Sequence, residues 1–276
     1  MRPIIFLFSL ALFFSCNSKE KEARALLEEA RSLYDSSEYI GAKLLLDSLK
    51  TTYTKEFPVQ RERQALVKEI ELSEQNRNLL YCDSLLSIKV PEAETLKKEF
   101  IFEQDTAYEA TGKYLYKTQS VEQNIQRSYL RSTVNEKGEM LLFSVYYGGK
   151  ALRHAALKVS LRGGEYAQTE SIPFDGGNNY TFTDGGMITE TVTYAHGKDN
   201  GAIAFIANYE GKEAIKLSYL GDREYTTTLS SVNQKAISAT YRLAIALSEV
   251  EELKKQRTIA LAKIDYLKER MKPAAE

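Results

Sequence analysis

The chain has 276 residues, 43% of them hydrophobic, and a formal net charge of −1 from 37 basic and 38 acidic side chains. This length and composition predict two structural units with real hydrophobic cores. The balanced charge lacks the basic excess that is typical of nucleic-acid-binding proteins, so we expect no nucleic-acid partner. Of the two cysteines, Cys16 and Cys82, we interpret the second as a small hydrophobic residue on a helix face.

The chain begins with an apolar run that ends at a cysteine. Residues 4–14 are apolar except for Ser9, and Ser15 and Cys16 follow directly before the chain becomes polar. The run has the length of a secretory signal peptide and is shorter than the ~20 residues of a membrane-spanning helix. An ordinary secretory signal and a retained N-terminal anchor are the alternative interpretations.

A small residue directly before a cysteine, at the end of such a run, resembles the lipobox of bacterial lipoproteins. The resemblance implies that residues 1–15 are a cleaved signal peptide and that Cys16 carries the lipid as the first residue of the mature protein. Phe13 departs from the family pattern, in which leucine is usual at this position. Asn17 is not the aspartate that retains enteric lipoproteins in the inner membrane. The resemblance therefore implies a protein anchored in the cell envelope at the outer membrane, with the leaflet left open.

Residues 16–105 are predicted to be helical, because apolar side chains recur at steps of three and four. A polar break at residues 35–38 separates two short antiparallel helices. This hairpin resembles a single tetratricopeptide repeat, in which small residues lie where the two helices touch. The residues that carry the resemblance are Ala30, Tyr34, Tyr39, Ala42, Leu46 and Pro58. Because an array of such repeats needs about three copies, we expect one hairpin and no superhelix.

A third helix is predicted to begin near Pro58, since the first turn of a helix accommodates proline. Its apolar residues lie seven apart, which is the period of a coiled coil: Ala65, Leu72, Leu79 and Leu86. We expect Pro91 to kink or restart this helix. Its apolar stripe is expected to continue through Phe100 to about Gln104.

Residues 106–231 are predicted to form an antiparallel β domain, because the apolar period shortens to two and Gly, Asn and Asp separate the segments. Eight to ten short strands favour a sandwich, a twisted sheet or an open barrel. The predicted strands are Tyr114–Lys117, Ser128–Val134, Met140–Tyr147, Leu157–Leu161, Tyr166–Ile172, Tyr180–Thr183, Ile188–Tyr194, Ala202–Asn208, Ala214–Tyr219 and Tyr225–Leu229.

Residues 232–276 are predicted to form one long C-terminal helix with a seven-residue period, roughly 55–60 Å in length. Its apolar stripe needs a partner, so we predict that it pairs with the third helix as a coiled-coil-like stalk, with the β domain inserted between the two. Packing on the sheet and pairing with another protomer are the alternatives. The predicted fold class is α+β: a helical hairpin and long helices, an antiparallel β domain, and a long C-terminal helix.

Few residues are candidates for chemistry. Residues 175–179 and 184–186 offer oxygen ligands for Ca²⁺, but Asp-Gly and Gly-Gly are also turn residues, and we favour turns. We interpret His196 as a surface residue of a loop, and no motif supports a pairing of Cys82 with His154. The sequence contains no nucleophile elbow, phosphate loop, dinucleotide fingerprint or zinc spacing. We therefore predict no catalytic, metal-binding or cofactor-binding residue, and no enzyme.

Two functions remain as hypotheses. The first is a membrane-anchored, non-enzymatic scaffold that binds an envelope protein, and it predicts an exposed apolar patch on the stalk or the hairpin. The alternative is a lipoprotein that binds glycan or peptidoglycan through the tyrosines of the β domain, such as Tyr146 and Tyr147, and it predicts an aromatic groove on the sheet. A hydrolase without a recognisable motif is a more distant interpretation.

Overall fold

The computed structural model describes residues 14–107 and 110–272, and the chain divides into two compact units. The helical unit consists of the described residues within Met1–Ser84 and Lys255–Glu276. The β unit consists of the described residues within Leu85–Lys254. Among the residues described, no helix combines the length and the apolar character needed to cross a membrane. The helices are α1 (Phe14–Asp35), α2 (Tyr39–Thr52), α3 (Phe57–Lys97), α4 (Ala202–Tyr209) and α5 (Ser231–Met271).

In the helical unit, α1 and α2 form a hairpin that packs on the first half of α3. Arg24 and Arg31 of α1 form ion pairs with Glu62 and Glu69 of α3, at 3.3 and 3.0 Å. The two pairs have the same sequence separation of 38 residues, so α1 and α3 run in parallel. Small residues let the helices approach closely, and the buried core is Ala23, Leu27, Ala30, Ala42, Leu46, Leu49, Val59, Leu66 and Ile70.

Helix α5 contacts α3 within each unit. In the helical unit Arg257 pairs with Asp83 at 2.6 Å, and in the β unit Lys89 pairs with Glu249 at 2.8 Å. Exposed pairs of this kind contribute little stability, about 0–1 kcal/mol, so the burial of apolar side chains contributes more to this packing. The buried residues in the last part of α5 are Ala260, Ile264 and Leu267.

Helix α3 is a single element that passes through Pro91. Pro91 was expected to kink or restart the helix, and the helix does not restart there. Pro91 lies about two turns before the end of the helix, where its carbonyl accepts a hydrogen bond from the Thr95 hydroxyl at 2.9 Å. Only a few backbone hydrogen bonds of the helix follow Pro91. The loss of stability from its missing N–H group is therefore confined to the end of the helix.

The described part of the β unit contains ten strands in two antiparallel sheets. The strands are β1 (Phe100–Glu103), β2 (Lys113–Tyr116), β3 (Tyr129–Asn135), β4 (Met140–Gly148), β5 (Ala156–Ser160), β6 (Tyr166–Gln168), β7 (Asn179–Asp184), β8 (Met187–Tyr194), β9 (Lys216–Leu220) and β10 (Tyr225–Thr228). The six-stranded sheet has the order β1-β2-β3-β4-β8-β7, and the four-stranded sheet has the order β10-β9-β5-β6. With the long C-terminal helix, these sheets confirm the predicted α+β fold class.

One face of the six-stranded sheet, here called the inner face, is buried at its central strands and partly exposed at the edge strands β1 and β7. At β4 and β8 the inner face meets the four-stranded sheet and α4, and this core includes Leu130, Leu142, Tyr146, Leu157, Val192, Tyr194, Ile206, Leu217 and Tyr219. At β1, β2 and β3 it packs on α5, and this core includes Phe100, Tyr114, Tyr116, Val134, Ala236, Leu243 and Leu247. Because side chains alternate along a strand, the opposite, outer face carries the residues between these.

Two predicted elements are wrong. Ala202–Asn208, predicted as a strand, lies in helix α4, where Ile203 and Ile206 are buried one turn apart. The Asp199 carboxylate accepts a hydrogen bond from the Ile203 amide at 3.3 Å and so favours a helix start. Phe100–Gln104 was expected to extend the third helix, yet Phe100 belongs to β1 and pairs with Tyr116 of β2. In both cases a short apolar run fits a helix and a strand equally well, and packing decides between them.

Candidate functional site

The predicted lipid attachment site lies at the edge of the described chain. Cys16 is in the first turn of α1, which begins at Phe14. Residues 1–13, most of the predicted signal peptide, lie outside the described residues. The structure therefore places the backbone of Cys16 at the start of the helical hairpin.

A groove of about 880 Å³ lies between the α1–α2 turn and α3 and is here called the helical groove. Its walls are Ser37–Ile40 on one side and residues between Glu74 and Tyr81 on the other. Ser37 has a positive φ of 63°, and its amide and that of Glu38 donate hydrogen bonds to carbonyls of the last turn of α1. This tight turn fixes where α2 begins and so shapes the groove.

The helical groove combines exposed apolar side chains with paired charges. Its wall and the adjacent helix positions carry large apolar residues that are more than half exposed, namely Ile40 (78%), Leu44 (67%), Leu80 (70%) and Tyr81 (59%). Ile40 and Leu44 are one turn apart and share a face of α2. The Lys43 ammonium pairs with the Glu74 carboxylate, and the Arg77 guanidinium lies 5.8 Å from the centre of the Tyr39 ring. Lys43, Glu74 and Arg77 thus have partners, whereas the four apolar side chains are mostly exposed to solvent.

The outer face of the six-stranded sheet is a second candidate surface. Strand pairing places Arg131, Phe143 and Thr193 in one row across the sheet. Two residues further along β4, the next row consists of Tyr129, Val145, Thr191 and Tyr180. The row after that consists of Tyr147, Thr189 and Phe182. Tyr129 and Thr191 are buried within this face, and the other residues of these rows are partly or fully exposed. The sheet therefore presents aromatic rings and the hydroxyls of Thr189 and Thr193 on the side away from the core.

Two cavities lie at one end of the outer face, and His196 lines both. The first, of about 380 Å³, is bordered by Thr133 and Leu141, and the second, of about 360 Å³, by Thr193 and Asp175. His196 is exposed, as expected for a surface loop residue, and has a positive φ of 52°.

The two glycine-rich clusters form turns. The Asp175 carboxylate accepts hydrogen bonds from the amides of Gly177 and Asn179, at 2.8 and 2.9 Å. These bonds hold the pKa of Asp175 below its usual range. Gly185 and Gly186 form the two-residue connection between β7 and β8. Across residues 14–107 and 110–272, no three His, Cys, Asp or Glu side chains converge as a metal site would require.

The structure brings together three residues that no sequence motif associates. His154 Nδ1 lies 2.8 Å from Glu190 Oε2, and His154 Nε2 lies 2.7 Å from Ser144 Oγ. Because a carboxylate only accepts hydrogen bonds, His154 donates from Nδ1. Both ring nitrogens are thereby engaged within the β unit, and in the helical unit Cys82 contacts Asn78 on its own helix.

Backbone amides complete the surroundings of Glu190. The amides of Leu152, Arg153 and His154 donate to its two oxygens at 2.7, 2.8 and 2.9 Å. Arg153 has a positive φ of 51°, which turns successive N–H groups toward one point, as in anion-binding nests. Burial alone would raise the pKa of Glu190, but the bonds from His154 and the three amides outweigh it and lower the pKa to about 2.

The Ser144, His154 and Glu190 side chains, here called the buried network, have the spacing of a nucleophile, a base and an orienting carboxylate. All three are at most 1% exposed, so a substrate carbonyl cannot reach Ser144 in this structure. The Tyr219 ring from the four-stranded sheet packs edge-on against His154 at 5.2 Å. The network thus links the loop before β5 to both sheets. Ser144 and His154 lie 10 residues apart and Glu190 lies 36 residues beyond His154, and no known motif has this spacing.

Comparison of the chain with models of known protein families, with curated proteins and with solved structures gave no match.

Proposed function

We propose that this protein is a lipid-anchored, non-enzymatic scaffold of the bacterial cell envelope that holds a protein partner in the helical groove. The observation that carries the proposal is the group of exposed apolar residues around that groove. Ile40, Leu44, Leu80 and Tyr81 present apolar surface on neighbouring helix turns. Apolar surface that is gathered in one place, with a polar rim, is typical of interaction sites.

The expected occupant is an amphipathic helix of an envelope protein. Helix-in-groove recognition uses apolar anchors at steps of three, four and seven residues, which fill an elongated apolar depression. The groove runs between two helices and offers both aliphatic and aromatic contacts. Glu38 on one wall and Arg77 on the other supply one charge of each sign, which suits a partner helix with mixed charges on its flanks.

The anchor is the lipid that the lipobox resemblance assigns to Cys16. Each buried CH₂ group contributes about 0.8 kcal/mol, so two or more acyl chains give stable membrane attachment. With Cys16 in the first turn of α1, the hairpin that forms the groove follows the anchor directly in the sequence. The proposed location is the outer membrane, in either leaflet.

Replacing Cys16 with Ala is expected to abolish both palmitate incorporation and membrane retention, because the thiol is the acylation site. Labelling with radioactive palmitate followed by membrane fractionation measures both quantities. The matched control is Cys82→Ala, which removes the other thiol, on α3, and should leave labelling and fractionation unchanged. Retention of the Cys16→Ala protein in the membrane fraction at the wild-type level contradicts the lipid assignment.

Replacing Ile40 with Asp is expected to reduce partner binding about tenfold, since a charge would then enter the apolar contact. A photo-crosslinking amino acid at Leu44 or Leu80, introduced in living cells, measures the contact. Both positions should yield one crosslinked product of the same mass, and Ile40→Asp should remove it. The crosslinker at Glu29, on an exposed face of α1, is the matched control.

Ile40 is 78% exposed, so its replacement should change the free energy of unfolding by no more than about 0.5 kcal/mol. Loss of the crosslink therefore reports binding and not folding. Two results argue against the helical groove as the partner site. One is an equal yield of crosslinked product from Glu29 and Leu44, and the other is a crosslinked product that still forms in the Ile40→Asp variant.

A further inference from the structure

We infer that the outer face of the six-stranded sheet binds an acidic saccharide, with Phe143 and Tyr147 as stacking surfaces and Arg131 as the contact for a carboxylate. This inference concerns the β unit and does not depend on the helical groove. It follows from the alignment of aromatic residues across the strands, the positive charge of Arg131 and the threonine hydroxyl groups of the outer face.

The outer face places aromatic rings on two strands that flank a third. Phe143 and Tyr147 lie on β4, and Tyr180 and Phe182 lie on the edge strand β7. Strand β8 runs between these two strands and contributes threonines in register with the rings. Since neighbouring strands lie about 4.8 Å apart, the aromatic residues of β4 and β7 lie on strands that are about 10 Å apart. A chain of sugar rings fits a strip of this width.

Arg131 supplies positive charge to this face. Its guanidinium lies 4.5 Å from the centre of the Phe143 ring, which fixes the side chain over the sheet. Its Nε atom is buried and has no hydrogen-bond partner within the described chain. Nε itself cannot reach a ligand in this structure, but the Arg131 side chain is partly exposed. The rest of its guanidinium can meet a ligand carboxylate, which is the acceptor that best matches this group. Arg127 lies near the same end, since both arginines act on the pKa of Tyr129.

The hydroxyl groups favour a saccharide over an apolar peptide. Thr189 and Thr193 are partly exposed and lie along β8 between the aromatic strands, with the buried Thr191 between them. Sugar rings offer both an apolar face for the aromatic rings and hydroxyls for the threonines. An apolar peptide would desolvate these threonines without pairing them. The cavity beside Thr193 extends the same strip toward His196 and so accommodates more than one sugar unit.

The probe is tetragalacturonic acid, compared with its methyl ester, which has the same sugar rings without the charges. Calorimetric titration of the purified full-length protein in detergent should show binding of the acid at least tenfold tighter than that of the ester. Arg131→Met should remove this preference for the acid, and Phe143→Leu should weaken the binding of both the acid and the ester. Ile40→Asp in the helical groove should change neither, so failure of the scaffold proposal and failure of this inference are distinguishable.

A stability measurement separates a binding role of Arg131 from a structural one. Because Nε lacks an acceptor, Arg131→Met should leave the midpoint of urea unfolding unchanged or raise it. A lowered midpoint would show that Arg131 supports the fold and would overturn its assignment as a ligand contact. The inference is also overturned if the acid and its ester bind equally, if neither binds, or if polyglutamate binds as tightly as the acidic saccharide.

Discussion

Replacing Glu190 with Gln is expected to lower the free energy of unfolding of the β unit by about 3–5 kcal/mol. The two carboxylate oxygens accept four hydrogen bonds, three from backbone amides and one from His154 Nδ1. A glutamine keeps one oxygen and turns an NH₂ group toward the donors of the other. At least two buried donors then lose their acceptor, at about 1–3 kcal/mol each.

Urea unfolding followed by the near-ultraviolet circular dichroism of the tyrosines measures this loss, because Tyr194 and Tyr219 lie in the same core. Glu213→Gln is the matched control: Glu213 is exposed, and its replacement should change stability by no more than about 0.5 kcal/mol. Equal stability of the two variants would mean that the buried network contributes nothing to the fold.

The same network predicts the acid sensitivity of the β unit. The pKa of Glu190 is lowered from 4.5 to about 2 in the folded protein. A lowered folded-state pKa gives stability that is present above the unfolded pKa of 4.5 and is lost as the pH falls toward 2. The expected loss across this range is about 3 kcal/mol. The Glu190→Gln variant lacks the titrating group, so its stability difference from wild type should shrink between pH 5 and pH 2.

Replacing Gly138 with Ala is expected to destabilise the β unit by about 2–4 kcal/mol. Gly138 lies in the β3–β4 turn with a φ of +85°. A Cβ atom there would stand 2.1 Å from Ser248 Oγ and 2.5 Å from the carbonyl oxygen of Ala244. The turn sits directly on the backbone of α5, so either the hairpin or the helix must move. The midpoint of urea unfolding measures the effect.

Gly211 provides the control for Gly138, because it has a φ of +67° and no heavy atom within 4 Å of an added Cβ. Gly211→Ala therefore carries only the cost of the left-handed backbone, about 1 kcal/mol. The excess loss in Gly138→Ala isolates the contact between the hairpin turn and α5. Equal losses in the two variants would show that this contact is loose in solution.

The antiparallel strands were largely predictable because their signals are local. Strand β4 was expected at Met140–Tyr147 and spans Met140–Gly148. The alternation of apolar and polar residues indicates its two faces, and the preceding Glu-Lys-Gly turn indicates where it begins. Helix α5 was expected within residues 232–276 and spans Ser231–Met271. Its length makes the helical period unambiguous.

Short apolar segments were not predictable in the same way. Ala202–Asn208 fits a buried strand as well as a helix, and it is a helix because Ile203 and Ile206 pack into the core beside the four-stranded sheet. Phe100 fits the end of an apolar helix stripe, and it lies in a strand because β2 offers a free edge. Both outcomes depend on partners that are distant in the sequence.

The candidate sites also differ in whether adjacent residues or distant ones define them. Cys16 was identified from adjacent residues, because lipobox recognition is a property of the linear chain, and the lipid itself stays a prediction. Arg131 and the buried network have no local signature. Ser144, His154 and Glu190 meet because strand register and a loop with a positive φ at Arg153 bring them together.

By itself, the sequence determined the α+β class, the long helices and most of the strands, since each of these follows from a periodicity within a few turns or residues. The tertiary structure alone decided which short segment is helix or strand, which apolar residues stay exposed around the helical groove, and which charges are buried together. These depend on contacts between residues far apart in the chain, and their energies arise only when the sheets and helices have packed.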